Sequence, residues 1–534
     1  VRESALALLR EGKAEESLEY SLSALEAVLA KTQELELLVA KLRRASWNGK
    51  SERIDPAQLS LLYQALLDQG GVEVAPDAEV EAQEDAALSE EIAAAERDRE
   101  EAKQGEKGRK RRSLNTRGVA KQTQRVAVPE SDRSCRHCGR TMQSIGEDVT
   151  RRLEYVPGHF VEHEHHLEKL ACGACKEGVT TAPAPVQVLD RSAAGASLLA
   201  HVVVSKFADH MPLHRLRRIY ARSGAHIPSS TLSDWVAGVG DLVAPLVQCL
   251  EDRVRGAYIV RTDATGLRVL DHPGSPGNVQ RGSIWAVVGD DRDVLFRYTP
   301  TGAGATGPWE FLAGRKGYIQ ADAASVFDRL FDGQAASAVE IGCWSHGRRR
   351  LVALQDTDCR VAYPLKLLAR LYRIEHLADA QGLSPEQRAE LRKERASPIL
   401  ERLKRWFVAT AAGEPPSSDM AKAAAYCLNH WTALTRFVED GRVSLDNNLC
   451  EQQLRDIALG RKNYLFAGSH DAARRAARLY SLTRTCAQYG VPPLPFFTDI
   501  LTKLGAGWPA DRLDQLLPHA WKPAEPSPSP TQPS

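Results

Sequence analysis

VSLDNNLCEQQLRDIALGRKNYLFAG, Val443 to Gly468, is the stretch around which the rest of the chain is read. It opens with Asp446-Asn447-Asn448, whose short side chains suit a helix start because their oxygens accept from free backbone N–H groups. Leu449, Leu454 and Ile457 follow among polar neighbours, and the pattern predicts a helix ending near Gly460, with Arg461 and Lys462 just beyond. Glu451 falls in the first turn of that helix. An acid there complements the helix dipole. It also offers an oxygen ligand, and the choice between the two roles turns on acids far upstream.

Working back, the period changes to strands from Gly256. AYIVRTDATGLRVL, SIWAVVGD, VLFRYTP, GYIQADA and VEIGCW (the last ending at Trp344) are β-branched or aromatic runs separated by turns. Two of them reach an aspartate, Asp263 and Asp322, as the apolar run ends. Between about His346 and Asp440 the pattern is helical, and DAARRAARLYSLTRTCAQYG closes the core as a further amphipathic helix. Strands followed by helices imply a layered α/β core. Asp263, Asp322 and Glu451 would then stand at strand ends and on a helix, as hard-metal phosphoryl chemistry needs. Mg²⁺ takes oxygen ligands, and two ions clamp the attacking and leaving oxygens of an in-line displacement. Acids held together without cations would be costly. With 69 acids in the chain, spacing alone does not single out this triple.

Length and composition set the frame. At 534 residues the chain calls for three or four domains, and 43% hydrophobic with 26% charged residues fits a globular protein. Net charge near +1 excludes a global basic field, yet charge is segregated: acids dominate from Glu73 to Glu101, and nine basic residues with one acid lie between Lys103 and Arg125. No membrane-spanning apolar run and no signal-peptide core are legible, and ten scattered or paired cysteines point to a reducing cytoplasm.

Residues 1–70 read as helical, with Leu18, Leu22, Leu25 and Leu29 at the steps of a coiled-coil seam, so either a dimerisation helix or one packed on its own domain is expected. Residues 71–129 read as an acidic, then basic linker, and Arg109, Lys110, Arg111 and Arg112 are candidates for phosphate contact. In residues 130–185, Cys135-x-x-Cys138 and Cys172-x-x-Cys175 offer four thiolates to one structural Zn²⁺, with strands expected between them around Pro157-Gly158. His163, His165 and His166 are expected on an exposed strand face. Residues 190–255 carry a helix–turn–helix pattern, with Arg217 and Arg218 on its first helix and Ser229-Ser230 capping its second. Residues 256–500 read as the α/β core, with a long helical region at about 346–440, and 501–534 read as a tail that is Pro- and Ser-rich from Pro523.

These segments resemble, in order, the insertion sequence 66 family of bacterial transposases, the TnpC type. KLRRASWNGKSERIDPAQLSLL, CRHCGR to ACGAC, HMPLHRLRRIYARSGAHIPSSTLSDWV, LDNNLCEQQLRDIALGRKNYLFAGS and LLPHAW carry the resemblance. It implies that residues 256–500 are a DDE catalytic domain with a ribonuclease-H-like mixed sheet and the helical region at about 346–440 as its insertion, in which Asp263 (TDATGL), Asp322 (IQADAASVF) and Glu451 (DNNLCEQQLR) hold two Mg²⁺ or Mn²⁺ ions. CWSHGRRRL resembles the family's motif before the insertion and makes His346, Arg348 and Arg349 candidates for handling phosphates, with Arg461 and Lys462 as further contacts. Ala264, Gly266, Ala323, Ala324, Phe327 and Gln452 depart from the family pattern, and none is a proposed metal ligand. The implied activity is transposition: binding of the element's terminal inverted repeats, then cleavage and strand transfer into target DNA. The implied partners are DNA, a second copy of the chain and accessory proteins of the same element, at the bacterial nucleoid. A catalytically inactive DNA-binding descendant, or a nuclease that cuts without joining, would share these residues.

Overall fold

A computed structural model describes residues 78–105, 158–171, 179–190, 192–270, 279–301, 309–322, 324–331 and 337–523, with single positions at 123, 133 and 140. The expected coiled coil in 1–70, the basic positions 109–112, the four paired cysteines and the segment from 524 lie outside the described residues. The chain divides into two compact units, Val1–Ala82 and Gln83–Ser534, and everything below concerns the second.

The described elements begin with α1 (Ala78–Gly105), which crosses into the second unit, and a two-stranded hairpin of β1 (Lys169–Ala171) and β2 (Val179–Thr181). Four helices follow: α2 (Ala196–Phe207), α3 (Leu213–Arg222), α4 (Ser229–Leu242) and α5 (Ala244–Gly256). The sheet-forming stretch holds β3 (Ile259–Val269), β4 (Gln280–Gly289), β5 (Asp293–Thr299), α6 (Trp309–Leu312), β6 (Lys316–Gln320), α7 (Asp328–Phe331) and β7 (Ser337–Ile341). The insertion is α8 (Trp344–Val352), α9 (Ala362–Gln381), α10 (Pro385–Gly413), α11 (Asp419–Asn429) and α12 (Trp431–Thr435). After it come α13 (Asn448–Tyr464), α14 (His470–Tyr489) and α15 (Pro493–Gly505).

The five strands form one mixed sheet in the order β5-β4-β3-β6-β7. β3, β4 and β5 run as an antiparallel meander, while β6 and β7 join β3 in parallel. The central strand β3 is fully buried over its first four residues, half-buried from Asp263 to Thr265, and returns Leu267 and Val269 to the core while Gly266 and Arg268 are exposed.

Two apolar clusters share this sheet. Val260 of β3 packs with α2–α5, β4, β5, α14 and α15, whereas Ile259 packs with Ile341 and the insertion helices α8–α12. Alternation along the strand sends successive side chains to opposite faces, so β3 is the wall between the clusters. The chain then crosses that wall once more: Val443 and Leu445 belong to the insertion cluster, Cys450 and Leu454 to the other. Glu451 is therefore carried to the boundary. The insertion is well terminated locally. Ser384 and Gln387 form a reciprocal capping box on α10, and Gly382 ends α9 at φ +64°, a conformation that costs glycine little.

Several sequence expectations need correction. Asp263 is not at a strand end but mid-way along an eleven-residue strand, and Asp322 lies two residues past β6. The fifth strand stops at Ile341, and Trp344 begins α8. α13 runs on to Tyr464, so Arg461 and Lys462 are in its last turn. Gly460 is inside the helix because a Cβ there would collide with the hydroxyls of Tyr464 and Tyr480. Pro228, not a serine, is the N-cap of α4, and no side chain caps that helix. Between the cysteine pairs, residues 159–168 form no strand, and His163, His165 and His166 are exposed there rather than on a strand. Position 501 falls inside α15, and Leu513, Leu516, Leu517 and Trp521 are buried in the main core, so the segment from 501 is not a tail throughout.

Candidate active site

β3 and β6 are parallel neighbours with Arg261 opposite Gln320. Asp263 and Asp322 each follow two residues after that pair, and the two lie near enough for the Asp322 charge to act on the Asp263 carboxyl. Asp263 accepts from the N–H of Ala264 at 2.7 Å, and Asp322 from that of Ala324 at 3.1 Å, which orients one oxygen of each.

Glu451 is delivered by the start of α13. Asn447, fully buried, donates from its amide to the carbonyl of Thr262 at 2.9 Å, and its own N–H is 3.2 Å from the sulfur of Cys343. The Cys450 thiol lies 3.7 Å from the Arg261 carbonyl and 3.5 Å from that of Ala286, the register partner of Asp263. The helix start is thus pinned to β3 at the two residues before Asp263. The N-cap is Asn447, which makes no side-chain cap bond; Asp446, one residue earlier, accepts from the N–H of Asn448 at 3.1 Å, while Ser345 of α8 bonds to Asp446 and Asn448 at 3.2 and 3.1 Å.

Beneath the acids lies a buried polar network that the sequence reading missed. Arg261 and Gln320 are both 0% exposed. Arg261 donates to the Gln320 side chain at 2.9 Å and to Ser444 at 2.7 Å, and forms an ion pair with Asp291. Gln320 donates to the carbonyls of Gly342 and Ser444 at 3.2 and 2.8 Å. One cluster thereby ties together β3, β6, the end of β7 and the approach to α13, which are the segments carrying all three acids. Burial lowers the Arg261 pKa to about 10, still charged at neutral pH. The signal was present in the letters: an arginine in IVRTD and a glutamine in YIQAD interrupt otherwise apolar strands.

The electrostatics are those of acids lacking enough cations. Burial raises the Asp263 carboxyl to about 6, and the charges of Asp322 and Glu451 push the same way, against the Ala264 N–H and Arg349. Glu451 receives a contact from Arg349 at 3.4 Å, yet its other oxygen is buried with no hydrogen-bond partner. The Nδ1 of His346 is likewise buried and unpartnered, 3.9 Å from that oxygen and too far for a hydrogen bond. Burial lowers the His346 pKa, so the ring is neutral at pH 7. Ligand atoms of Cys343, His346 and Glu451 lie within 4.8 Å of one another. Burial pushes the Cys343 thiol up to about 11, which keeps it protonated and leaves carboxylate oxygens as the main donors. A buried Glu451 oxygen without a partner, near two further carboxylates, suits a hard divalent cation, whose ligands are oxygens.

The other candidate residues separate clearly. Arg349 faces the acids, and Arg348 is exposed on the same helix. Arg461 bonds to the Gly266 carbonyl further along β3, with Lys462 exposed beside it. Arg217 and Arg218 are exposed on α3, whose Leu216 and Tyr220 are buried. Cys249, Cys343, Cys359, Cys427, Cys450 and Cys486 are all unpaired. Among the described residues no helix is long and apolar enough to cross a membrane.

Comparison with known proteins identifies the family. The family model described as "Transposase IS66 family" matches residues 191–475, and "zinc-finger binding domain of transposase IS66" matches residues 132–176. The latter span contains Cys135, Cys138, Cys172 and Cys175. Similar chains include the uncharacterized protein y4qI of Sinorhizobium fredii, 33% identical over 413 residues covering 74% of this chain and 75% of that one. The uncharacterized protein y4jD of the same organism is 30% identical over 506 residues, 91% of this chain and 94% of the relative. With the family model spanning more than half of its residues and its zinc finger in place upstream, this chain belongs to the IS66 family of transposases.

Proposed function

We propose that the chain binds the terminal inverted repeats of its element, cuts the DNA there and joins the freed 3′ ends to target DNA. The observation that carries this reading is that Asp263, Asp322 and Glu451, from three separate elements, lie near enough for the charges of Asp322 and Glu451 to act on the Asp263 carboxyl, with one Glu451 oxygen buried and without a partner. The sheet order β5-β4-β3-β6-β7, with one antiparallel meander and two added parallel strands, supports reading the core as ribonuclease-H-like.

In this reading the three acids hold two Mg²⁺ or Mn²⁺ ions. Such ions, when bound, supply an activated water and neutralise charge on the attacking and departing oxygens. The chain's own residues do the rest. Asn447 and Arg261 fix the acids relative to one another, so little reorganisation is needed when DNA arrives. Arg349, exposed beside Glu451, is placed to orient a phosphate, and Arg348 extends the same surface. The unpartnered Nδ1 of His346 can hold a proton released at the site. Arg461 and Lys462 continue a basic path along β3, and Arg217 and Arg218 offer a second set of phosphate contacts on α3. Cys135, Cys138, Cys172 and Cys175 hold one structural Zn²⁺, Arg109–Arg112 bind phosphates without sequence preference, and the leucine-patterned segment of residues 1–70 pairs two copies of the chain. Accessory proteins of the element would join that assembly.

The test is a joining assay on labelled element ends with Mg²⁺ or Mn²⁺, comparing the natural chain with Asp263→Ala. Joined product from the natural chain alone is expected. Cut ends without joined product would make it a nuclease, and equal behaviour of the two would leave a DNA-binding protein without catalysis.

A further inference from the structure

The sequence of α1 carries ten acids and three bases in 28 residues, and this helix lies on the insertion. Its apolar contribution there is small: Leu88 is buried, and Ile92 and Ala95 are partly so. Charge does most of the holding. Asp85 meets Arg370 at 2.5 Å, Arg373 at 3.0 Å and Lys366 at 3.7 Å. Glu91 pairs with Arg395 of α10 at 2.6 Å, and Glu96 with His376 at 3.3 Å. Lys366, Arg370 and Arg373 stand at i, i+4 and i+7 of α9, which makes them one stripe along a helix face.

A stripe of this kind has the chemistry of a phosphate-binding surface. Guanidiniums take carboxylate and phosphate oxygens in the same forked geometry. We propose that Lys366, Arg370, Arg373 and Arg395 form a further DNA-binding face, and that α1 is a displaceable acidic cover over it. The proposal rests on the reading of this chain as an enzyme acting on DNA. Duplex DNA and α1 are both polyanions competing for the same cations. Glu91–Arg395 and Glu96–His376 are largely exposed pairs that salt weakens, while Asp85, against the buried Arg370 and the half-buried Arg373 and Lys366, is the firmest point of attachment. A duplex that takes the place of these acids gains by releasing its counterions. Past α1 the sequence holds eight further basic residues between Lys107 and Arg125, so DNA bound by that stretch is linked to the cover through the chain.

Hydrogen exchange on the full chain, with and without a short duplex of unrelated sequence at low salt, tests the idea without any variant. Amides of α1 are expected to exchange faster once DNA is bound. The double variant Asp85→Asn/Glu91→Gln is expected to bind the same duplex about five-fold or more tightly, with a steeper salt dependence. Adding Lys366→Gln and Arg373→Gln should cancel that gain. Unchanged protection of α1 in the DNA complex overturns the proposal. So does a variant whose α1 exchanges freely yet binds DNA no better. The joining assay is read separately: release of α1 without cut DNA keeps the cover and refutes the transposition reading, and joining with α1 still protected does the reverse.

Discussion

Two groups of carboxylates in this chain are treated in opposite ways. Asp85 and Glu91 on α1 are met by guanidiniums at 2.5 and 2.6 Å, and Asp85 has three cations around it. Asp263, Asp322 and Glu451 are gathered with each other instead, and the cation nearest Glu451 is an exposed arginine at 3.4 Å. The first group docks a helix. In the second, burial and the neighbouring acids raise the half-buried Asp263 carboxyl to about 6, and a buried Glu451 oxygen is left without a partner, which costs stability. Acids that the fold pairs are structural, and acids that the fold crowds together are the ones to test for chemistry.

The largest effect that could break this contrast is on catalysis. Glu451→Gln or Asp322→Asn should lower joining on the order of 10³-fold or more, because each removes a ligand charge that the chemistry needs. Gel-shift affinity for element ends should not fall. An active Glu451→Gln chain would end the distinction.

Next in size is the network under the acids. Arg261→Met leaves Gln320, Ser444 and Asp291 without their buried partner, so a loss of about 3 kcal/mol in denaturant unfolding is expected, with Arg261→Lys recovering part. A loss below about 1 kcal/mol would mean that α13 is held by Asn447 and Cys450 alone.

A smaller effect should appear in the metal-free protein. The folded carboxyl of Asp263 titrates near 6, above the unfolded value of about 3.9, so the folded state binds more protons between those limits. Stability from this group therefore rises as pH falls from 7 toward 4. Asp263→Asn should stabilise the metal-free chain at pH 7 by on the order of 1 kcal/mol, and the gain should vanish near pH 4. Mg²⁺ should raise the melting temperature of the natural chain more than that of the variant. The smallest effect is on the other side of the comparison. Glu96→Gln, in an exposed pair with His376, should change stability by less than about 0.5 kcal/mol in the same unfolding experiment.

Local pattern made much of the fold legible. The five strands were readable within a few residues because β-branched and aromatic runs stop at turns, and the insertion helices because their apolar residues recur at three- and four-residue steps. Boundaries failed where packing overrode the local signal. Gly460 reads as a helix end but is there to let two tyrosines approach, and the strand carrying Asp263 continues past it because β4 goes on pairing as far as Gln280 opposite Val269. Which three of 69 acids to group came from resemblance, since no periodicity links positions 263, 322 and 451.

By itself the amino-acid order determined the elements, the cysteine pairs, the charge blocks and the family motifs, because each is written in residues near one another along the chain. Only the tertiary structure decided that Asp85 sits on Arg370, 285 positions away, and that Arg261, Gln320 and Ser444 lock three acid-bearing segments together. Those pairings exist because burying an apolar strand between two helical layers brings distant polar groups out of water at once. Once there, each must find a partner within hydrogen-bond reach or leave a charge exposed to chemistry.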